Sequence, residues 1–158
     1  MGDALKPRVY AASRTARSTM WKSLRASGEN IVSTWIDQAS PSETSDLSEV
    51  WVRIIDEIAH SDYMILYVEP GDFPLKGAFV ETGAALALGL LVVVVAPGMN
   101  FDPPSYRPIG SWIKHPNVTF CKDLRRACHG VYCHSTGEWF FGTAHDVPAE
   151  IEENLSGE

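Results

Sequence analysis

Glu81 is the residue of this chain whose surroundings most need a chemical explanation. It lies in Lys76-Gly77-Ala78-Phe79-Val80-Glu81-Thr82-Gly83-Ala84-Ala85-Leu86-Ala87-Leu88-Gly89, a segment otherwise mostly small and apolar. Such a segment reads as a buried helix packed closely on a sheet. A lone carboxylate there must be paired, neutralised or used. It is either a first-turn glutamate favoured by the helix dipole or a catalytic carboxylate at the mouth of an α/β sheet. A second candidate is Ser13-Arg14-Thr15-Ala16-Arg17-Ser18, where hydroxyls and arginines follow a short apolar run. Free backbone N–H groups at a helix start suit an anion, so Ser13, Arg14, Arg17 and Ser18 are candidate phosphate contacts. The alternative is a solvated helix start with surface arginines. The glycine patterns of a Walker loop and of a dinucleotide fingerprint are both missing.

Two other constellations carry less. Cys121, Cys128, His129, Cys133 and His134 are close in sequence, but they contain no Cys-x-x-Cys pair, so free thiols are expected rather than a zinc site. Ser13 or Ser18 with a histidine lacks the Gly-x-Ser-x-Gly elbow of a hydrolase triad. No metal and no cofactor is expected.

These residues need a scaffold. Val9-Tyr10-Ala11-Ala12 reads as a first strand, and Met20, Trp21 and Leu24 as a helical stripe stopping at Gly28. Ile31 to Ile36 reads as a second strand, and Asp37 to Ser45, with Pro41, as a loop. Asp46 and Glu49 resemble a capping pair. They precede Leu47, Val50, Trp51, Ile54, Ile55 and Ile58, the clearest helical periodicity of the chain. Asp62 opens a nearly continuous apolar strand, Tyr63 to Val68. The Glu81 helix follows, then Leu91 to Val95.

Alternating strands and helices predict a doubly wound, mostly parallel sheet of five strands with helices on both faces. The fifth strand is Asn117 to Cys121, and Asp123 to Gly130 is a last helix. Pro97 to Pro116 is a long proline-rich loop, functional or at an interface. Trp139, Phe140 and Phe141 belong to a tail from about residue 135. Ligands of such sheets bind beyond the strands' carboxyl ends. That rule gathers Ser13, Arg14, the Glu69 to Pro74 loop, Glu81 and the Pro97 to Asn100 loop at one crevice.

At 158 residues the chain is expected to be one domain, 1–158. Its net charge of −7 argues against a nucleic-acid polymer as partner. Met1 to Arg8 is polar without a signal-peptide core. The apolar run Ala84 to Ala96 is too short to span a membrane. With an odd cysteine count, a cytoplasmic protein with no membrane partner is expected.

The chain resembles the nucleoside 2-deoxyribosyltransferase family and the related 2'-deoxynucleoside 5'-monophosphate N-glycosidases. The likeness rests on four places in order: Val9-Tyr10-Ala11-Ala12-Ser13; a helix leading into Ser61-Asp62; Gly77-Ala78-Phe79-Val80-Glu81-Thr82-Gly83-Ala84-Ala85, which fits a Gly-x-x-x-Glu-x-Gly-x-Ala pattern; and the valine-rich strand after it. The resemblance implies a flavodoxin-like fold, a homodimer or higher homo-oligomer, and retaining chemistry at the anomeric carbon of a nucleoside or nucleotide. It implies Glu81 as nucleophile, Tyr10 as the group that orients it, and Asp62 near the base. Independently, a carboxylate beneath the sugar can stabilise an oxocarbenium-like centre and then bond to the carbon.

There are departures. An aspartate or serine that relatives carry six residues before the glutamate is Leu75 here. Asp72 could substitute for it or simply form a turn. Asn100 is a candidate for an asparagine that enters from a neighbouring subunit. Gly77 would line the substrate. Transfer of the deoxyribosyl group to another base, hydrolysis of a 5'-monophosphate and non-catalytic nucleotide sensing are the three functional readings.

Overall fold

A computed structural model describes residues 5–38, 46–138 and 141. Four short strands form a wholly parallel sheet: β1 (Val9–Ala12), β2 (Tyr63–Tyr67), β3 (Leu91–Val95) and β4 (Val118–Cys121), in the order β1-β2-β3-β4. Register runs from Val9 opposite Tyr63, through Tyr63 opposite Leu91, to Val92 opposite Val118. The β-branched run Val92 to Val95 is fully buried, as expected where helices cover both faces of a parallel sheet.

The expected strand at Ile31 to Ile36 does not form, so the sheet has four strands and not five. Ile31 makes a single parallel bridge to Val9, closed by Val9 N–H to Asn30 O (3.0 Å) and Val32 N–H to Val9 O (3.0 Å). The next outward donor of β1, Ala11 N–H, is taken by the Ser33 hydroxyl oxygen at 2.9 Å. A side chain thus replaces the rest of the ladder, and the chain turns into a 3-10 helix at Thr34–Asp37. With the bridge counted as an edge position, the spatial order is the doubly wound one of a flavodoxin-like fold.

The helices are α1 (Ser18–Ala26), α2 (Leu47–Ala59), α3 (Gly77–Ala87) and α4 (Leu124–Ser135). Helix α3 packs on β1, β2 and β3, and α2 packs on α3. A right-handed return from β1 to the Ile31 edge puts α1 on the other face. There Met20 and Leu24 of α1 line one groove with Cys128 and Tyr132 of α4. Asp46 caps α2 as expected, its carboxylate accepting from Ser48 N–H (2.9 Å) and Glu49 N–H (3.3 Å). The apolar stripe of α2 is wider than the face it buries: Ile54 and Ile58 are inside, whereas Leu47 and Ile55 are exposed.

Helix α4 continues past Gly130, where the sequence led us to end it. Gly130 lies on the buried face with Ala127, Cys128 and Val131, so it permits close packing rather than ending the helix. The Pro97 to Pro116 loop is anchored inward by Met99, Phe101, Ile109 and Ile113. Of the three tail aromatics, only Phe141 is described, and it is buried. Trp139 and Phe140 lie outside the described residues, as do Pro41 and most of the expected loop around it. No helix among the described residues is long and apolar enough to cross a membrane.

Gly89 joins α3 to β3 with φ of +82°, and Leu90 N–H bonds back to Ala85 O at 3.0 Å. Nothing lies within 4 Å of an added Cβ. Gly89→Ala therefore has only a conformational cost, expected at about 1 kcal/mol, measured as a lower denaturant midpoint with an unchanged slope.

Candidate active site

Helix α3 buries Ala78, Glu81, Thr82 and Ala85, the spacing of one helical face. Glu81 is on that face and is 7% exposed. It is the fifth residue of the helix, beyond the turn whose free N–H groups would favour a carboxylate. The first-turn explanation of Glu81 is therefore replaced. What holds the side chain is the Tyr10 phenol, which donates a hydrogen bond to Glu81 Oε1 from the middle of β1. Tyr10 itself is completely buried.

Burial pushes the Glu81 carboxyl up to about 7. The Tyr10 hydrogen bond opposes the rise and the charge of Glu57 adds to it. Burial, and then the Glu81 charge, raise the Tyr10 phenol far above its usual range, so Tyr10 remains a donor. The pair is thus a neutral donor supporting a carboxylate that ionises near neutrality.

A cavity of about 290 Å³ opens beside Glu81. It lies beyond the carboxyl end of β1, bounded by Ser13, Arg14 and Thr15, by Trp35 and Gln38 of the Ile31 edge, and by α2 and the start of α3. Gly77 belongs to its wall. A Cβ there would stand 3.5 Å from the Trp51 ring and 3.7 Å from Glu81 Oε2, so glycine keeps the approach to the carboxylate open. Leu75 also lines the cavity.

The other expected site residues divide. Ser13 lines the cavity, but its hydroxyl accepts from the Trp21 indole (2.8 Å) and donates to Arg14 O (2.9 Å). Arg14 is exposed at the rim, with Nη1 3.5 Å from Gly71 O. Arg17 is engaged elsewhere: Nη2 is 2.8 Å from Asp72 Oδ1 and Nη1 is 3.1 Å from Glu69 Oε2. Ser18 begins α1 half-buried and is not among the cavity's lining residues. Of the four candidate phosphate contacts, Ser13 and Arg14 line the Glu81 cavity, whereas Arg17 and Ser18 do not.

Of the two readings of Asp72, the geometry seen is that of a turn former. Its Oδ2 accepts Glu69 N–H at 2.9 Å, and its own N–H bonds Glu69 O at 2.9 Å. Burial would raise this carboxyl, but Arg17 and the Glu69 N–H together hold it below the usual range. It closes the turn Pro70–Asp72 and is spent there. Asp62, which the resemblance implies near the base, lies apart from this cavity. It sits at the amino end of β2, where its carboxylate accepts from Arg8 N–H at 2.8 Å and meets the Arg8 guanidinium at 3.2 Å. It lines the open groove between α1 and α4, not the Glu81 cavity. Asn100 is exposed and also absent from the cavity wall. Within one chain, then, neither Asp62 nor Asn100 is brought to Glu81.

Sequence reasoning missed Trp35, Gln38, Trp51, Arg53 and Lys76, all of which line the cavity. Arg53 and Glu57 carried a signal: opposite charges four apart beside the apolar stripe of α2. No group of His, Cys, Asp and Glu among the described residues could hold a metal ion. The three cysteines are free thiols.

The raised carboxyl has a thermodynamic signature. A group whose proton affinity rises on folding contributes stability that is full below its ordinary value, 4.5, and lost as pH passes about 7. The loss approaches 3 kcal/mol, since each tenfold gain in proton affinity is worth about 1.4 kcal/mol. Glu81→Gln should therefore be more stable than wild type at about pH 8, by at most about 3 kcal/mol, with the gain shrinking towards pH 5. Chemical denaturation across that range measures it.

No family model matches the chain, and no curated protein does. Among solved structures it is similar to the CMP N-glycosidase BcmB of Clostridium botulinum, at 17% identity over 72% of this chain and 87% of that one, with a TM-score of 0.46.

Proposed function

We propose that this protein breaks the N-glycosidic bond of 2'-deoxynucleosides or their 5'-monophosphates, with Glu81 as nucleophile. The observation that carries this reading is a carboxylate buried on an apolar helix, bonded to a buried phenol and facing a cavity. Glu81 Oε1 is steadied by Tyr10, and the other oxygen attacks the anomeric carbon as the base departs. Charge developing on the sugar is offset by a carboxylate in a site of low polarity, where its effect is large. The intermediate is a deoxyribosyl ester of Glu81. A second base takes the sugar in transfer; water takes it in hydrolysis. The chemistry needs neither metal nor cofactor.

The rim favours a 5'-phosphate. Arg14 and Lys76 both line the cavity, and neither forms an ion pair among the described residues. Of the two arginines expected to hold a phosphate, Arg14 is the one that lines this cavity. Two copies would associate through the outer face of α2 and α3, where Val52, Ile55, Val80 and Leu88 are exposed. Sedimentation of wild type against a Val52→Lys, Val80→Lys variant tests that association.

Chromatography of released base, with and without an acceptor base, tests the reaction. Glu81→Ala is expected to abolish release from a folded protein; undiminished release would end the proposal. Transfer should dominate when acceptor is present, and free sugar phosphate marks hydrolysis. Removing the Tyr10 donor leaves burial of Glu81 unopposed. Tyr10→Phe should therefore move the acid limb of the pH–rate profile from about 7 to higher pH. Arg14→Gln should lower kcat/KM for the monophosphate and leave that for the free nucleoside nearly unchanged.

A further inference from the structure

One wall of the Glu81 cavity carries Trp35 and Gln38. It is the short 3-10 turn Thr34–Asp37, which Gln38 closes with its N–H on Trp35 O at 2.9 Å. The turn follows the single bridge at Ile31, so side chains rather than a strand ladder fix where it stands. The Trp35 indole N–H donates to Ala11 O at 2.7 Å, which ties the ring to β1. The two ends of the turn are tied to α2. At the start, the Glu57 carboxylate accepts Thr34 N–H at 3.0 Å and the Thr34 hydroxyl at 2.5 Å. At the far end, Arg53 Nη2 donates to the Gln38 side-chain oxygen.

Arg53 and Glu57 are one helical turn apart, and Arg53 Nε lies 3.9 Å from Glu57 Oε2. The Glu57 side chain is 15% exposed, and hydrogen bonds to a sheltered carboxylate are stronger than those between neutral groups. A further tie, Arg25 to Asp37 at 2.7 and 2.9 Å, stands in solvent, where ion pairs hold little. Two residues of one helix thus grip both ends of the turn that presents Trp35.

With a phosphate at Arg14 and Lys76 and a sugar over Glu81, the lining that remains is largely aromatic and aliphatic. Trp35, Val50, Trp51 and Ile54 belong to it, and such a lining suits the faces of a base. The cavity, about 290 Å³, is at the small end for ligand sites. We propose that Glu57, acting with Arg53, is a positioning residue that holds Trp35 so that the cavity takes a base of one ring in preference to two, a role that rests on the glycosidic reading of Glu81 for its ligand. Glu57 is not among the cavity's lining residues; it acts through Thr34. Its contacts are made alike before and during bond breaking, so it serves binding rather than the chemical step.

Deoxyuridine and deoxyadenosine 5'-monophosphates are the probes. Binding is read from quenching of tryptophan fluorescence, and turnover from base release. Wild type should bind the one-ring nucleotide at least about 10-fold more tightly. Glu57→Gln keeps the side chain's size and loses its charge and one acceptor. Thr34→Val keeps the shape and loses the hydroxyl donor. Each should raise KM for the deoxyuridine nucleotide by about 10-fold, the scale of one hydrogen bond to a charged group, and leave kcat within about threefold. Each should also narrow the preference over the adenine nucleotide. Because both changes break one contact, combining them should add little to the larger single effect. Arg25→Gln should alter neither KM nor the preference.

A fall in kcat at unchanged KM, an unaltered preference, additive losses, or the same effect from Arg25→Gln would overturn the assignment. Far-ultraviolet dichroism and the melting transition check that each variant is folded. If Glu57→Gln is not, Thr34→Val carries the test, since its backbone N–H still meets Glu57. If wild type binds with the stated preference, loses it in Glu57→Gln and yet releases no base, the glycosidic reading of Glu81 has failed while the positioning role stands.

Discussion

The hydrogen bond from Tyr10 to Glu81 joins β1 to the helix above it, and the site depends on that link. A carboxylate moved from water into an apolar interior loses solvation worth several kcal/mol unless it is paired or protonated. Among the described residues no cation is its hydrogen-bond partner; a phenol supplies one bond. The result is a group poised near pH 7 rather than one neutralised for good. Everything nearby is consistent with keeping it so. Small residues on α3 let the helix approach the sheet, β1 delivers a tyrosine where an aliphatic residue would pack as well, and Gly77 keeps the wall clear.

Much of this scaffold was legible in the sequence because its signals are local. The valine run of β3, the apolar run of β2, the cap at Asp46 and the small-residue helix around Glu81 each declare themselves within a few residues. The pairing of Tyr10 with Glu81 did not follow from periodicity; it came with the resemblance, and the structure brings the two side chains together across 71 positions. The Ile31 edge was misread because its residue types are those of a strand. A serine hydroxyl, invisible to a pattern of apolar residues, takes the hydrogen bond that a longer ladder would have used.

The charged residues were the least legible. Arg14 and Arg17 stand three apart in one polar loop, and sequence treats them alike. The fold separates them: Arg17 turns to Glu69 and Asp72 and lies over the Tyr67 ring at 5.6 Å, while Arg14 remains at the rim. Asp62 shows the reverse case. Its place before a strand was clear, but its partner, 54 residues earlier, was not, and that partner keeps it at the far end of the sheet. Which cation meets which carboxylate is decided by loops, and loop geometry is weakly encoded in residue type.

The abbreviated Ile31 edge has a consequence for how the molecule can meet others of its kind. An open parallel sheet exposes a row of unused backbone donors and acceptors, a template onto which a foreign strand can zip. Here that row is stopped after one bridge, because an internal hydroxyl occupies the next amide and the chain then coils away. This margin of the sheet is thus closed to strand-by-strand growth, and contact between neighbours on this side must be made by side chains rather than by backbone.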